Sequence, residues 1–205
     1  MIVQTEDAER APGVALDADA RERGRLALLA MLAEAPVHRI AMREAARRAG
    51  MGLATLYKYF GGKEAMVTAV LDPELDGLVE ALALASRREV GVRTRFRAVL
   101  EASLAFARDH QDAARAVMLN LPAGVWSDDE TSWLARRRTI LMQIFKNGHH
   151  DGSVRDDVSP EHLADLSFGA VDRAVEQALR SAEPVDPTRL GARLFAVLWP
   201  AINAD

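Results

Sequence analysis

Between Met42 and Phe60 the chain reads MREAARRAGMGLATLYKYF, and this stretch limits its folding options more than any other. Ala45, Ala46 and Ala49 leave one side of its first half almost flat. Gly50 then supplies a backbone conformation that residues with a Cβ resist. Leu53, Leu56 and Phe60 follow at the three- and four-residue spacing of one helix face. The spacing predicts two short helices, at about 42–49 and 53–60, packed closely across a tight turn: a helix-turn-helix. The far side of the second helix then presents Ala54, Thr55, Lys58 and Tyr59. Small side chains, a hydroxyl and a cation on a short helix suit entry into a major groove. Arg43, Arg47 and Arg48 on the preceding helix, with Lys63 beyond, suit the flanking phosphates. Alanine-rich hairpins with a solvated basic face contain the same ingredients, so on these residues alone the two readings stand level.

Helical periodicity extends over most of the 205 residues. Residues 1–17, with Pro12 and Gly13 and no period, read as a disordered tail. A first helix opens near Ala18, with Leu26, Leu29, Met31, Leu32 and Ala33 as its apolar face, and closes at Pro36. A fourth begins near Lys63, and Asp72-Pro73 either kinks it or divides it from 74–87. Further helices are expected at about 92–109 and 111–121. Ser127 and Glu130 form a capping box for one running to Gly148. Ser159-Pro160 and Asp186-Pro187 open helices at 160–182 and 187–202. No alternating strand pattern appears, so the expected fold class is all-α.

A net charge of −4 at first speaks against a nucleic-acid partner, but the charge is unevenly placed. Residues 20–65 hold nine cations and four acids, a net of +5, between an acidic start and a larger acidic remainder. Recognition follows the local field rather than the sum.

Ala49–Met66, AGMGLATLYKYFGGKEAM, closely resembles the signature of TetR-family transcriptional regulators, in which an Ala-Gly turn leads to Thr-Leu-Tyr, an aromatic-Phe pair and Lys-Glu. The resemblance covers about residues 20–70. It implies an N-terminal three-helix DNA-binding domain at 18–70, followed at 73–205 by a larger helical domain for effector binding and dimerisation. Carried over by position, it implies Thr55, Tyr57, Tyr59 and Lys63 near the DNA backbone and Leu53, Ala54 and Lys58 near bases. Tyr57 has a second reading, with its ring packed between helices and only its hydroxyl at the DNA. Gly52 and Ala41 stand where the family often has Ser or Thr, and Gly61-Gly62 replaces a loop that often carries Ser. These departures remove caps and phosphate contacts.

The resemblance also implies that the last two helices pair across a two-fold axis. Small and apolar stripes agree with it: Ala170, Ala174 and Ala178 on one helix, and Leu190, Leu194, Val197 and Leu198 on the next, are the expected homodimer interface, with a monomer core pair as the plain alternative. Polar groups embedded in apolar stripes mark a candidate effector pocket: Ser103, Arg137 and Asp172 among Phe96, Leu100, Met118, Trp126, Trp133, Met142, Phe145 and Phe168. Core packing or a helix-edge charge is the commoner explanation of each.

Cysteine is absent, which removes disulfides, thiolate catalysis and thiol sensing. No apolar run reaches the ~18 residues of a membrane span, and the acidic start does not read as a signal peptide, so a cytoplasmic protein is expected. His149-His150-Asp151, Asp156-Asp157 and His162 match no metal motif and read as a charged turn. Arg136-Arg137-Arg138 spreads around its helix and reads as solvated. No nucleophile-base pair or phosphate loop stands out, so neither catalytic residues nor a cofactor are expected. Taken with these exclusions, the resemblance implies a non-enzymatic regulator, a repressor that binds palindromic double-stranded operator DNA as a homodimer and is released by a small-molecule effector. Its rivals are a DNA-binding adaptor governed by a protein partner, and an α-helical carrier or enzyme with a vestigial helix-turn-helix.

Overall fold

A computed structural model describes residues 17–121, 132–181 and 186–204. Among them the chain forms α1 (Ala18–Glu34), a 3-10 turn (Val37–Arg39), α2 (Met42–Arg48), α3 (Leu53–Phe60), α4 (Lys63–Arg88), α5 (Val92–Asp109), α6 (Gln111–Asn120), α7 (Trp133–Asp151), α8 (Pro160–Arg180) and α9 (Pro187–Ile202). The one strand-like pairing there is an isolated bridge between Val154 and Asn203. None of these helices is long and apolar enough to cross a membrane.

Helix starts follow side-chain chemistry. Asp17, Ser159 and Asp186 accept backbone N–H groups at the first turns of α1, α8 and α9, and Pro160 and Pro187 occupy the turn where no donor is required. The described start of α7 is capped by Ser132, whose oxygen accepts from Ala135 N–H. The expected capping box at Ser127 and Glu130 lies outside the described residues.

One expectation is sharpened and one is corrected. Of the two readings of Asp72-Pro73, division falls away: the 26-residue α4 runs unbroken through Pro73. Proline costs one helical hydrogen bond, but Val70, Leu71 and Leu75 on either side are buried and hold the helix together. On α1, Leu26 is 48% exposed, while Gly24, Arg25, Leu28, Leu29, Met31 and Leu32 turn inward. The buried face is shifted around the helix because an arginine occupies it.

The buried side chains form two clusters. The first joins α1, α2, α3 and the start of α4, with Ala113 and Ala116 of α6 added. The second joins the end of α4 with α5, α7, α8 and α9 around Phe96, Phe145, Leu100 and Leu141. Helix α4 crosses from one to the other, and α6 lies against α1 although it follows α5 in the chain. The Arg136-Arg137-Arg138 run is also corrected. Each guanidinium has its own carboxylate, Asp76 on α4 for Arg136 and Asp172 and Asp165 on α8 for the other two, so the run ties α7 to its neighbours.

Candidate nucleic-acid interface

The turn between α2 and α3 is built from backbone chemistry. Gly50 adopts φ +67°, the left-handed conformation that ends many helices. Its N–H donates to Arg47 O at 3.2 Å, and Met51 N–H donates to Ala46 O at 3.0 Å, which satisfies two of the open carbonyls of α2. α1 passes close behind this turn. A Cβ on Gly24 would lie 2.4 Å from Met51 Cε and 3.3 Å from the Ala49 carbonyl, so glycine there lets the turn nest on α1.

Below α3, Leu56 and Phe60 are buried in the first cluster, which also holds Leu28, Ala45, Ala46 and Met66. Above it, Leu53, Ala54, Tyr57 and Lys58 are exposed, and Thr55 and Tyr59 are half-buried at the edges. Tyr57 is 48% exposed, so its ring stands on the surface instead of packing between helices. Lys58 Nζ lies 5.5 Å from the centre of the Tyr59 ring. This contact keeps the cation beside the exposed face without neutralising it.

The flanking cations differ in their engagement. Arg43 is exposed and makes no ion pair among the described residues. Arg47 is exposed but forks onto Glu44, at 2.8 and 2.6 Å. Arg48 also reaches Glu44, at 3.2 Å, and Glu34 of α1, at 2.8 Å. The hydrogen bonds from Arg47, and then from Arg48, hold the Glu44 carboxyl down at about 2. Lys63 opens α4 and donates to the His38 carbonyl at 3.1 Å, which leaves two of its three donor hydrogens. Gly52 and Gly62, at the starts of α3 and α4, provide no side-chain cap, so these first-turn N–H groups stay available to an oxyanion.

The candidate effector residues separate into groups. Phe96, Leu100, Phe145 and Phe168 are buried in the second cluster, with the Phe96 and Phe145 rings 5.3 Å apart. Ser103 is buried and turns its hydroxyl back to Val99 O, at 2.8 Å. Met118 and Met142 are half-buried, and Trp126 lies outside the described residues. Four residues do come together. The Arg137 guanidinium lies 4.9 Å from the Trp133 ring and 4.5 Å from Phe168, and forks onto Asp172 at 2.9 and 2.6 Å. Arg137 is 12% exposed there and Asp172 53%.

On the expected dimer face, Ala174 is buried, Ala170 and Ala178 are half-buried, and Leu190, Leu194 and Leu198 pack partly against the second cluster. Val197 is 74% exposed, as is Leu166 at 66%, a residue the stripe reading missed. Its position four before Ala170 was the available signal. Elsewhere, His149, Asp156 and Asp157 line a groove of about 520 Å³ with Arg155, Asn203 and Pro200. Among the described residues no group of three or more potential ligands could hold a metal ion.

Fold and site together define a helix-turn-helix protein whose reading helix is carried on a larger helical body. Residues 27–70 match the model of the family described as bacterial regulatory proteins, tetR family. No curated protein matches the chain in sequence. Among solved structures, the FadR transcriptional regulator of Bacillus subtilis, in complex with stearoyl-CoA, is similar at 17% identity and TM-score 0.76 over 86% of this chain and 96% of its own. The fatty acid degradation regulator FadR of Bacillus halodurans gives 16% identity and TM-score 0.74 over 87% and 97%. The ketosteroid transcriptional regulator KstR2 of Mycobacterium tuberculosis gives 20% identity and TM-score 0.66 over 93% and 98%. Residues 27–70 thus match the tetR-family model, and the likeness to these solved structures shows that the chain shares their fold.

Proposed function

We propose that this regulator is a homodimeric repressor of a palindromic operator, with residues 18–70 reading DNA and residues 73–205 binding a small effector and the second subunit. The observation that carries the reading is α3 itself. It exposes Leu53, Ala54, Tyr57 and Lys58 above a buried Leu56 and Phe60, so base-reading groups face outward while the helix stays anchored. Two such helices enter successive major grooves roughly 34–36 Å apart. Arg43, Arg47, Thr55, Tyr59 and Lys63 serve the phosphates at the margins. Leu166 and Val197, exposed on α8 and α9, are apolar surface that a second copy would cover.

The effector reading rests on the Trp133, Arg137, Phe168 and Asp172 group. An arginine between two rings, with an exposed carboxylate as its partner, suits an apolar molecule bearing an anionic group, which takes the place of Asp172 on the guanidinium. The acyl-CoA in the Bacillus subtilis structure has that character. The effector shifts the equilibrium only as far as it prefers the state that cannot span both half-sites.

The test is selection from random DNA. An enriched inverted repeat, bound with affinity that falls steeply as salt rises, is the expected result. A selected pool without two-fold symmetry rejects the operator model, and a co-purifying protein with no stabilising small molecule favours the adaptor.

A further inference from the structure

Glu74 stands one residue after Pro73, where α4 passes from the first buried cluster to the second. Proline has no N–H, so the Ala69 carbonyl, four residues back, loses its helical donor and the turn is weakened. At the next carbonyl a group from α1 steps in: Arg25 Nη1 donates to Val70 O at 2.9 Å. The same guanidinium holds Glu22 on its own helix, at 2.7 to 3.1 Å, and donates through Nη2 to Glu74 Oε1 at 3.0 Å. The other oxygen of Glu74, Oε2, lies 3.0 Å from His110 Nδ1. His110 joins α5 to α6 and stacks on Phe106, with ring centres 4.1 Å apart.

One carboxylate therefore touches α1 with one oxygen and the α5–α6 junction with the other. The Glu74 side chain is 14% exposed and that of Arg25 10%, so water does not readily replace their contact, whereas His110 is 44% exposed. The guanidinium spans three acceptors on two helices, a task for its rigid fork of donors that a lysine cannot match.

We propose that Glu74 is a positioning residue for DNA binding: by holding Arg25 and His110 at the Pro73 turn, it fixes the direction in which α1 to α3 leave the larger body. The inference rests on the reading of the protein as a dimer on two half-sites. A hinge that loosens moves the two recognition helices relative to one another. It leaves the chemistry of each α3 face untouched.

The test compares full-length wild type and Glu74→Gln on two DNAs: the selected inverted repeat, and the same duplex with one half scrambled. Fluorescence anisotropy over a salt series gives affinity and salt slope. Glu74→Gln is expected to lose about tenfold in affinity for the inverted repeat while half-site affinity and its salt slope stay at the wild-type values, because no phosphate contact is lost. Glu74→Asp, which keeps the charge and shortens the reach, is expected to fall between the two. An unchanged ratio of the two affinities overturns the positioning role. An equal fall on both DNAs also overturns it, since that marks damage to the reading module itself. If the wild type does not distinguish the two DNAs, the two-half-site reading fails, and the inference with it.

Discussion

The side-chain oxygen of Asn120, the last residue of α6, accepts the Val37 N–H at 2.6 Å. Its amide nitrogen donates to Leu32 O and Ala116 O, each at 2.9 Å. One side chain thus serves a late carbonyl of α1 and the first N–H of the 3-10 turn, 83 residues away in the chain. At the opposite end of α6, His110 meets Glu74 of α4, which in turn holds Arg25 of α1, so both termini of α6 are tied to α1, one directly and one through α4.

Asn120→Ala leaves the Val37 N–H without its partner and is expected to lower stability by about 1–3 kcal/mol. Asn120→Asp restores the acceptor, sets a carboxylate oxygen against the Leu32 carbonyl, and stays less stable than wild type. Urea unfolding midpoints at constant slope check both.

In the proposed function, Lys58 reads bases and Lys63 holds the DNA backbone. Lys63→Ala is expected to weaken binding to all duplexes alike and to reduce the salt slope by about one. Lys58→Ala is expected to alter the preferred bases as well. Repeating the selection with each variant reads the difference, and matching base preferences would contradict the two roles.

Glu44 predicts a change in acid stability. Its carboxyl is held at about 2, against an ordinary 4.5, chiefly by the hydrogen bonds from Arg47. The native state therefore binds fewer protons than the unfolded chain between these values. The stabilisation is present above 4.5 and is lost as pH falls towards 2. Glu44→Gln is expected to flatten the acid limb of the stability curve in that window, and unfolding midpoints measured along a pH series report it. The group is solvent-exposed, so added salt shrinks the effect.

Leu166→Glu and Val197→Glu place charge where a second copy would seat. Each is expected to convert the proposed dimer to a monomer in sedimentation while helix content is retained, because both side chains are exposed within one chain. A dimer that survives both substitutions places the contact elsewhere.

Local rules account for what was legible in the chain. The α2–turn–α3 unit follows from Ala45, Ala46, Gly50, Leu56 and Phe60, residues close enough in sequence that spacing alone sets the packing. The starts of α8 and α9 follow from Ser159-Pro160 and Asp186-Pro187, because a cap and its helix are adjacent. The grouping of Trp133 with Arg137, and of Phe168 with Asp172, was visible as four-residue spacing on two helices.

What the sequence determined by itself is thus the all-α class and the α2–turn–α3 unit with the residues that α3 turns outward. The tertiary structure decided the rest. It carried α4 through Pro73, buried Arg25 in place of Leu26, and gave Arg136, Arg137 and Arg138 three separate acids. It also laid α6 against α1, with Glu74 and Asn120 as fastenings. These contacts join residues 27 to 88 positions apart, and helical periodicity shows which face of a helix is buried without showing against which partner.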